Sequence, residues 1–175
     1  MDRAAVPSMS REQTLSGWIE AYSDAILKTC YLYLADRGQA EDATQETWVK
    51  AWKHMDDFEH ESIANEKAWL LRIAINTCKD IRRGGWFQHI DRRQAIEELP
   101  PQLTAVEPKD LSLTQAVMEL PGRYKQVILL YYFQGLTMQE TADTLGAVQS
   151  TVQRRLKKAE ALLRTSLTGG AAYEK

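Results

Sequence analysis

Hydrophobic residues along this chain recur every three or four positions, which is the spacing of one face of an α-helix. The pattern predicts three helices in the first half, over residues 11–34, 39–54 and 66–83. No segment alternates with the period of two that marks a β-strand, so the sequence predicts an all-α fold. The residues expected to face inward are Leu15, Ile19, Tyr22, Ile26 and Cys30 in the first helix, Ala40, Ala43, Thr47, Trp48, Ala51 and Trp52 in the second, and Trp69, Leu70, Ile73, Ala74, Thr77 and Ile81 in the third.

The helical pattern stops at Gly84 and Gly85 and resumes near residue 111. The segment between contains three prolines and charges of both signs, which predicts a flexible linker with a short helix around 91–98. Four further helices are predicted after it, two of them over 111–120 and 123–134. The predicted organisation is a disordered tail, a three-helix domain, a linker, a four-helix domain and a frayed tail, over residues 1–10, 11–83, 84–111, 112–167 and 168–175.

The last two predicted helices have the spacing of a helix-turn-helix. Thr137 and Glu140 form a Ser/Thr-x-x-Glu capping box, which sets where the first of the two begins. Ala142 stands where the two helices touch, Gly146 at the sharp turn, and Val152 where the second helix is anchored. Because such a motif presents its second helix to the major groove of DNA, this spacing predicts duplex DNA as a partner.

The second helix of this pair separates apolar from basic residues around its axis. At about 100° per residue, Val152, Leu156, Ala159 and Leu163 fall on one narrow stripe, and the basic side chains fall on the other side. An ordinary surface helix with solvated charges has the same pattern, but the capped helix and turn glycine before it favour DNA contact. The predicted DNA contacts are Gln149, Ser150, Thr151, Gln153, Arg154, Arg155, Lys157 and Lys158.

Charge is distributed unevenly between the two halves. The formal net charge of the 175 residues is −2, which argues against a nonspecific nucleic-acid coat. Residues 112–175 carry 8 basic and 5 acidic side chains, whereas residues 1–83 carry 11 and 14. The positive field is therefore local to the helix-turn-helix half, and the acidic half needs a different kind of partner.

The sequence carries no pattern typical of catalysis, cofactors or membranes. Cys30 and Cys78 are isolated within apolar helical patterns, which predicts reduced core residues of a cytosolic protein. The three histidines are scattered, and neither a metal-ligand spacing nor a phosphate-binding glycine loop nor a paired nucleophile and base is found. We expect no signal peptide, and the sequence has no apolar run near the ~20 residues of a membrane span. We therefore expect a non-enzymatic protein without a metal, cofactor, small-molecule substrate or membrane insertion.

Two motifs in the first half and one in the second resemble a known family. Residues 41–52 read EDATQETWVKAW, which resembles the E-D-x-x-Q-E-x-F-x-x-x-W signature of bacterial RNA polymerase sigma factors of the extracytoplasmic-function (ECF) group, sigma-70 family. Residues 68–83 read AWLLRIAINTCKDIRR and are similar to that family's A-W-L-x-x-I-A-x-N-x-x-x-D-x-x-R helix. The third motif resembles the start of the fourth conserved region of that family, and it consists of Leu120, Pro121, Tyr124, Val127 and Leu130.

The resemblance implies an alternative sigma factor, built from a region 2 domain and a region 4 domain. Such a protein performs no chemistry; it binds core RNA polymerase and directs it to promoters. The helix over 39–54 would dock on the clamp coiled coil of the largest subunit, since an acidic, partly apolar surface suits a basic partner helix. Region 4 would contact the flap of the second-largest subunit. The expected polymerase contacts are Asp42, Gln45, Glu46, Val49, Lys50 and Lys53.

The resemblance also implies that promoter DNA is read in two places. The helix-turn-helix would bind the upstream element, while the helix over 66–83 and the loop before it would open and hold the downstream element. Cations there neutralise phosphates without reading sequence, whereas a captured base needs a pocket and a stacking surface. Phe58 would stack and Asn65 would hydrogen-bond, while Trp69 suits the core. The expected downstream contacts are Phe58, Asn65, Arg72, Asn76, Lys79, Asp80, Arg82 and Arg83.

Two other classes of protein compete with this interpretation. A free-standing helix-turn-helix regulator would need a ligand, receiver or dimerisation domain, which the three-helix half does not resemble. A helical adaptor that binds only protein is disfavoured by the basic recognition helix. The resemblance further implies a cytoplasmic location and an anti-sigma factor, linked to the membrane, which would pin two domains whose relative placement the linker leaves variable.

Overall fold

The computed structural model describes residues 8–60, 65–84 and 108–171, and every regular element in these residues is helical. The elements in chain order are α1 (Arg11–Leu34), α2 (Arg37–Lys53), a 3-10 turn (Met55–His60), α3 (Glu66–Arg83), α4 (Pro108–Glu119), α5 (Gly122–Ile128) with a π-helical continuation (Leu129–Phe133), α6 (Met138–Leu145) and α7 (Gln149–Ala171). The predicted all-α fold with two helical units is confirmed. The short helix predicted around 91–98 lies outside the described residues.

Polar caps set the starts of the three helices in the first unit. The side chains of Ser10, Asp36 and Asn65 each accept a hydrogen bond from the backbone N–H three residues later, at 3.2, 2.8 and 2.8 Å. Such N-caps satisfy a backbone donor that has no partner within the helix. The bounds predicted for α1 and α3 are confirmed. The predicted start of α2 at residue 39 is wrong, because the cap at Asp36 starts the helix at Arg37.

Two predicted boundaries in the second half are also wrong. Helix α4 begins at Pro108, inside the predicted linker. Proline is well suited to a first helical turn, where its missing N–H costs no hydrogen bond. Helix α7 continues through Ala171, past the predicted start of a frayed tail at residue 168. The helix predicted over 123–134 forms as α5 and its π-helical continuation, and it ends before Gly135, whose φ is +68°.

The core of the first unit lies between α1, α2 and α3. Its centre contains Ile26, Leu70, Leu71 and Ile75, all buried. Cys30 and Cys78 are buried free thiols, as predicted. A hydrogen bond with the Cys30 thiol, together with burial, raises the pKa of Cys78 above its ordinary value. Ile19 is 37 % exposed, so the prediction that it faces inward is wrong.

The second unit packs directly against the first in this structure. Buried residues of α1, α2 and α3 belong to the same hydrophobic cluster as buried residues of α4 to α7. From the character of the linker alone, the sequence predicts a variable placement of the two domains, and that pattern contains no sign of this contact. Polar contacts that cross between the units include Asn65 to Glu140, Lys67 to Gln134, and Lys125 to Tyr33.

Candidate DNA and polymerase surfaces

The helix-turn-helix forms as its sequence predicts. The Thr137 hydroxyl accepts from the Glu140 backbone N–H at 3.1 Å, and the Glu140 carboxylate accepts from the Thr137 N–H at 2.8 Å. Gly146 closes α6 with a φ of +62°, a conformation that glycine adopts at little cost. Ala142 and Val152 are fully buried where α6 meets α7. This packing fixes the direction in which α7 leaves the turn.

One side of α7 packs on the core and the other is open to a partner. Val152, Leu156 and Ala159 are buried. Thr151 and Arg155 are half-buried at the edge of the open face. The other six residues predicted to contact DNA are exposed: Gln149, Ser150, Gln153, Arg154, Lys157 and Lys158. The structure therefore gathers these six side chains, three of them cations, on one accessible surface, with the Arg155 cation at its edge.

Helix α2 presents an acidic surface with one apolar side chain. Val49 is 49 % exposed. Around it, four more of the expected polymerase contacts are exposed, namely Asp42, Gln45, Glu46 and Lys53. Lys50 is placed differently. Its Nζ donates to Thr77 Oγ1 at 3.1 Å and lies 3.7 Å from an Asp80 carboxylate oxygen, so it ties α2 to α3 and is only partly available to a partner.

The aromatic and amide side chains expected to capture a base are engaged elsewhere. Phe58 is half-buried, with its ring centroid 5.8 Å from that of Trp18 and 5.4 Å from that of Trp69. Asn65 caps α3 through its Oδ1 and donates from Nδ2 to Glu140 at 2.7 Å. Trp69 is 3 % exposed, which agrees with its expected core role. Phe58 thus serves the core in this conformation, and the stacking role drawn from the resemblance gains no support.

The polar residues near the end of α3 divide into two groups. Asn76, Asp80 and Arg83 are exposed, and an Asp80 carboxylate oxygen lies 3.7 Å from an Arg83 guanidinium nitrogen. Lys79 and Arg82 are half-buried. The Arg82 guanidinium lies 5.3 Å from the centre of the Tyr33 ring. The pKa of Lys79 is lowered, mainly because the side chain is partly buried and in addition because the charges of Arg83 and Arg155 lie nearby.

A polar pocket of about 200 Å³ lies between the end of α2, the 3-10 turn and α3. Two of the expected downstream contacts, Arg72 and Asn76, line it together with Trp69. His54 and Asp57 also line it, and the His54 ring nitrogen lies 2.9 Å from an Asp57 carboxylate oxygen. Sequence reasoning did not select these two residues. Two polar residues spaced i, i+3 just after α2 are the sequence signal that could have indicated them. The whole lining is Lys50, His54, Asp57, Trp69, Arg72, Ile73 and Asn76.

Within residues 8–60, 65–84 and 108–171, no three or more His, Cys, Asp or Glu side chains are grouped as metal ligands would be. In the same part of the chain, no helix has the length and apolar character needed to span a membrane.

A helix-turn-helix with an open cationic face, joined to a three-helix unit with an exposed acidic helix face, is typical of a DNA-binding protein of the transcription machinery. Residues 18–88 match the family model for Sigma-70 region 2, and residues 110–163 match the model for Sigma-70 region 4. The chain belongs to the ECF group of the sigma-70 family. It is accordingly a sigma factor that directs transcription initiation by RNA polymerase, and it is not an enzyme.

Individual relatives support the same assignment. The chain is 30% identical to the ECF RNA polymerase sigma factor SigW of Bacillus subtilis (strain 168) over 165 residues, which is 85% of this chain and 86% of that protein. It is 30% identical to the ECF RNA polymerase sigma factor SigL of Mycobacterium tuberculosis (strain ATCC 25618 / H37Rv) over 136 residues, 75% of this chain and 76% of that protein.

Two solved structures share the fold. One is CnrH in complex with the cytosolic domain of CnrY, with a TM-score of 0.68 and 22% identity over 90% of each chain. The other is the sigma factor RpoE of Bartonella quintana in complex with the anti-sigma factor NepR, with a TM-score of 0.69 and 21% identity over 89% of this chain and 97% of that one. At these identities the likeness establishes the fold.

Proposed function

We propose that this sigma factor recognises two promoter elements and opens the downstream one, in the cytoplasm, with α7 reading the upstream element. The observation that carries the proposal is the open cationic face of α7 on a capped helix-turn-helix. A face of this kind combines side chains that read base edges with cations that contact phosphates.

For the downstream element, the pocket beside α3 supports capture of a base from the melted strand. A flipped base needs an enclosed polar site with donors and acceptors for its edge. The Asn76 amide and the His54 and Asp57 side chains supply both kinds of group around about 200 Å³. Arg72, Arg82 and Arg83 lie on the same helix and would hold the flanking phosphates.

Two surfaces support docking on core polymerase. The exposed acids of α2 fit the basic clamp coiled coil of the largest subunit. In the second unit, a mainly apolar groove of about 400 Å³ runs between α4, the π-helical segment and the last turns of α7. Leu113, Val117, Leu163 and Leu167 line it, and Glu160 and Arg164 stand among them. An amphipathic segment fits such a groove, and the flap of the second-largest subunit is the occupant we propose.

Arg154→Ala should weaken binding of the holoenzyme to the upstream element by about 1–3 kcal/mol and relax specificity at one base pair, because Arg154 would lose a base-edge contact. Lys158→Ala is the matched variant on the same exposed face. It should weaken binding to all sequences alike and flatten the salt dependence, as loss of a phosphate contact does. Titration of promoter duplexes at several salt concentrations measures both. Unchanged affinity in both variants, with helix content intact, would contradict the assignment of α7.

Run-off transcription with core polymerase across genomic fragments of the host tests the function as a whole. We expect discrete transcripts that depend on this chain. A free-standing regulator would instead bind promoter duplex without binding purified core polymerase, so the core-binding measurement separates the two classes.

We also propose that an anti-sigma factor holds this chain inactive. Two relatives of the same fold are each known in complex with another protein, and for the Bartonella quintana protein that partner is an anti-sigma factor. The chain is expected to capture such a partner from host lysate, and the purified partner should compete with core polymerase for the full chain. A captured protein that leaves polymerase binding unchanged would not be the inhibitor.

A further inference from the structure

The turn of the helix-turn-helix exposes one apolar side chain. At 65 %, Val148 is the most exposed large hydrophobic residue in the part of the chain that the structure describes. It lies between Ala147, which is half-buried against the core, and the exposed Gln149 and Ser150 of α7. A single exposed valine is common on protein surfaces, so exposure alone does not indicate a partner. The place of this valine, at the edge of the reading face, gives it significance.

The position of Val148 ordinarily suits a different kind of residue. Its carbonyl accepts hydrogen bonds from the backbone N–H groups of Thr151 and Val152 at 3.0 and 3.2 Å, which makes it the N-cap of α7. Helices α1, α2, α3 and α6 each begin at a side chain whose oxygen accepts from a free N–H. Valine has no such oxygen, so α7 starts without this stabilisation. The stability of the helix therefore does not account for a valine here.

The surroundings of Val148 hold it in one place. On one side, the Ala147 N–H donates to the Ala142 carbonyl at 2.9 Å and closes the turn. On the other side, the side-chain amide of Gln149 donates to the side chain of Gln139 in α6. A β-branched side chain is itself stiff about its first torsion angle. The two methyl groups are thus presented in a fixed position, so a contact made by them costs little ordering on binding.

We propose that Val148 recognises a thymine of the upstream promoter element, by contact of its methyl groups with the thymine 5-methyl group. The inference rests on the proposed role of α7 in reading that element. The 5-methyl group is the apolar feature that distinguishes thymine in the major groove, and apolar side chains recognise it.

The neighbours of Val148 favour DNA over a protein as the occupant. The first residues of a recognition helix are those that contact base edges, and Val148 directly precedes them. The nearest exposed side chains of α7 are Gln149, Ser150 and Gln153, which are polar. A lone valine among hydrogen-bonding groups matches the edge of a base pair, whereas the centre of a protein interface is mainly apolar.

Replacement of single thymines by deoxyuridine tests the contact, because it removes the 5-methyl group and keeps every hydrogen-bonding group of the base. The probe is the upstream duplex of a promoter found by run-off transcription, titrated with the holoenzyme. We expect one thymine at which this change weakens wild-type binding about four-fold, the effect of withdrawing one methyl group from burial. At that position, the Val148→Ser holoenzyme should bind the thymine and deoxyuridine duplexes equally.

Val148→Thr is the matched control. Threonine keeps one methyl group for the contact, and its hydroxyl, like that of serine, can cap α7. Both variants should therefore be at least as stable as wild type in thermal unfolding. Only Val148→Thr should keep the preference for thymine over deoxyuridine, so the pair separates the methyl contact from any effect of the new cap.

Equal sensitivity to deoxyuridine in wild type and Val148→Ser would overturn the inference, as would a wild type that is insensitive at every thymine. Weaker core-polymerase binding by Val148→Ser with an unchanged thymine preference would also overturn it, since Val148 would then contact protein. Arg154→Ala separates these results from failure of the proposed function. If Arg154→Ala still weakens promoter binding, α7 reads the element and only the role of Val148 is wrong. If neither Arg154→Ala nor any deoxyuridine changes binding, the assignment of α7 itself falls.

Discussion

Reversing the charges of Asp42 and Glu46 together, to arginine, should lower the affinity of this sigma factor for core RNA polymerase by about a hundred-fold. Placing like charges against the proposed basic clamp costs several kcal/mol, and a hundred-fold change in affinity corresponds to about 3 kcal/mol. Both carboxylates are exposed on α2, one helical turn apart, so a partner helix meets them together. Binding of labelled sigma factor to purified core enzyme at moderate salt measures the effect.

The same variant should fold normally. Asp42 is exposed, and Glu46 is paired only loosely with Lys50 at 3.8 Å, an exposed i, i+4 contact of about 0.3–0.5 kcal/mol. Glu20 and Asp24 of α1 offer a matched control, since they are exposed carboxylates with the same spacing and the same change in charge. Equal loss in both variants would indicate a nonspecific charge effect. Normal core binding by the Asp42 and Glu46 variant would favour the free-standing regulator.

Local sequence signals were sufficient for most of the secondary structure. Helices α1 and α3 begin and end where periodicity and capping residues place them, because a cap such as Asn65 acts within its own turn. The helix-turn-helix is equally predictable from local signals, since Thr137, Glu140 and Gly146 all lie within ten residues of one another. Boundaries failed where two signals competed. At the start of α2, the N-cap Asp36 favours a helix while the nearby Gly38 disfavours one, and the helix forms. At the start of α4, Pro108 is equally typical of a linker and of a first helical turn, and it begins the helix.

The sites were less predictable because their side chains are shared between elements distant in sequence. The resemblance implies that Lys50 contacts polymerase, but Thr77 and Asp80 of α3 engage its ammonium group. The resemblance implies that Asn65 contacts DNA, but Glu140, 75 residues later, accepts a hydrogen bond from its amide. The contact between Tyr33 and Lys125 spans 92 residues. Periodicity shows that a residue is on an inward or outward face, but it does not show which element covers that face.

The aromatic cluster under α3 gives the largest expected effect on stability. Trp69 is 3 % exposed and contacts Trp18 and Phe58, with ring centroids 5.7 and 5.4 Å away. Trp69→Ala should therefore lower the free energy of unfolding by about 3–5 kcal/mol, through lost burial and the cavity left behind. Urea unfolding of the full chain, followed by circular dichroism, measures it. Trp52→Ala is the matched control at a half-buried ring in α2, and its loss should be clearly smaller.

A substitution in the same aromatic cluster can distinguish two roles of Phe58, which are packing in the core and stacking on a captured base. If its ring serves the core, Phe58→Leu keeps most of the buried apolar volume, costs less than about 1.5 kcal/mol, and leaves promoter opening by the holoenzyme unchanged. If the ring leaves the cluster to stack on a captured base, the variant is equally stable but opens promoters poorly, since stacking on an aromatic ring is worth about 1–3 kcal/mol per base. Permanganate footprinting of the melted strand separates the two. From its contacts with Trp18 and Trp69 we expect unchanged opening, so that base capture falls to the polar pocket of Arg72 and Asn76.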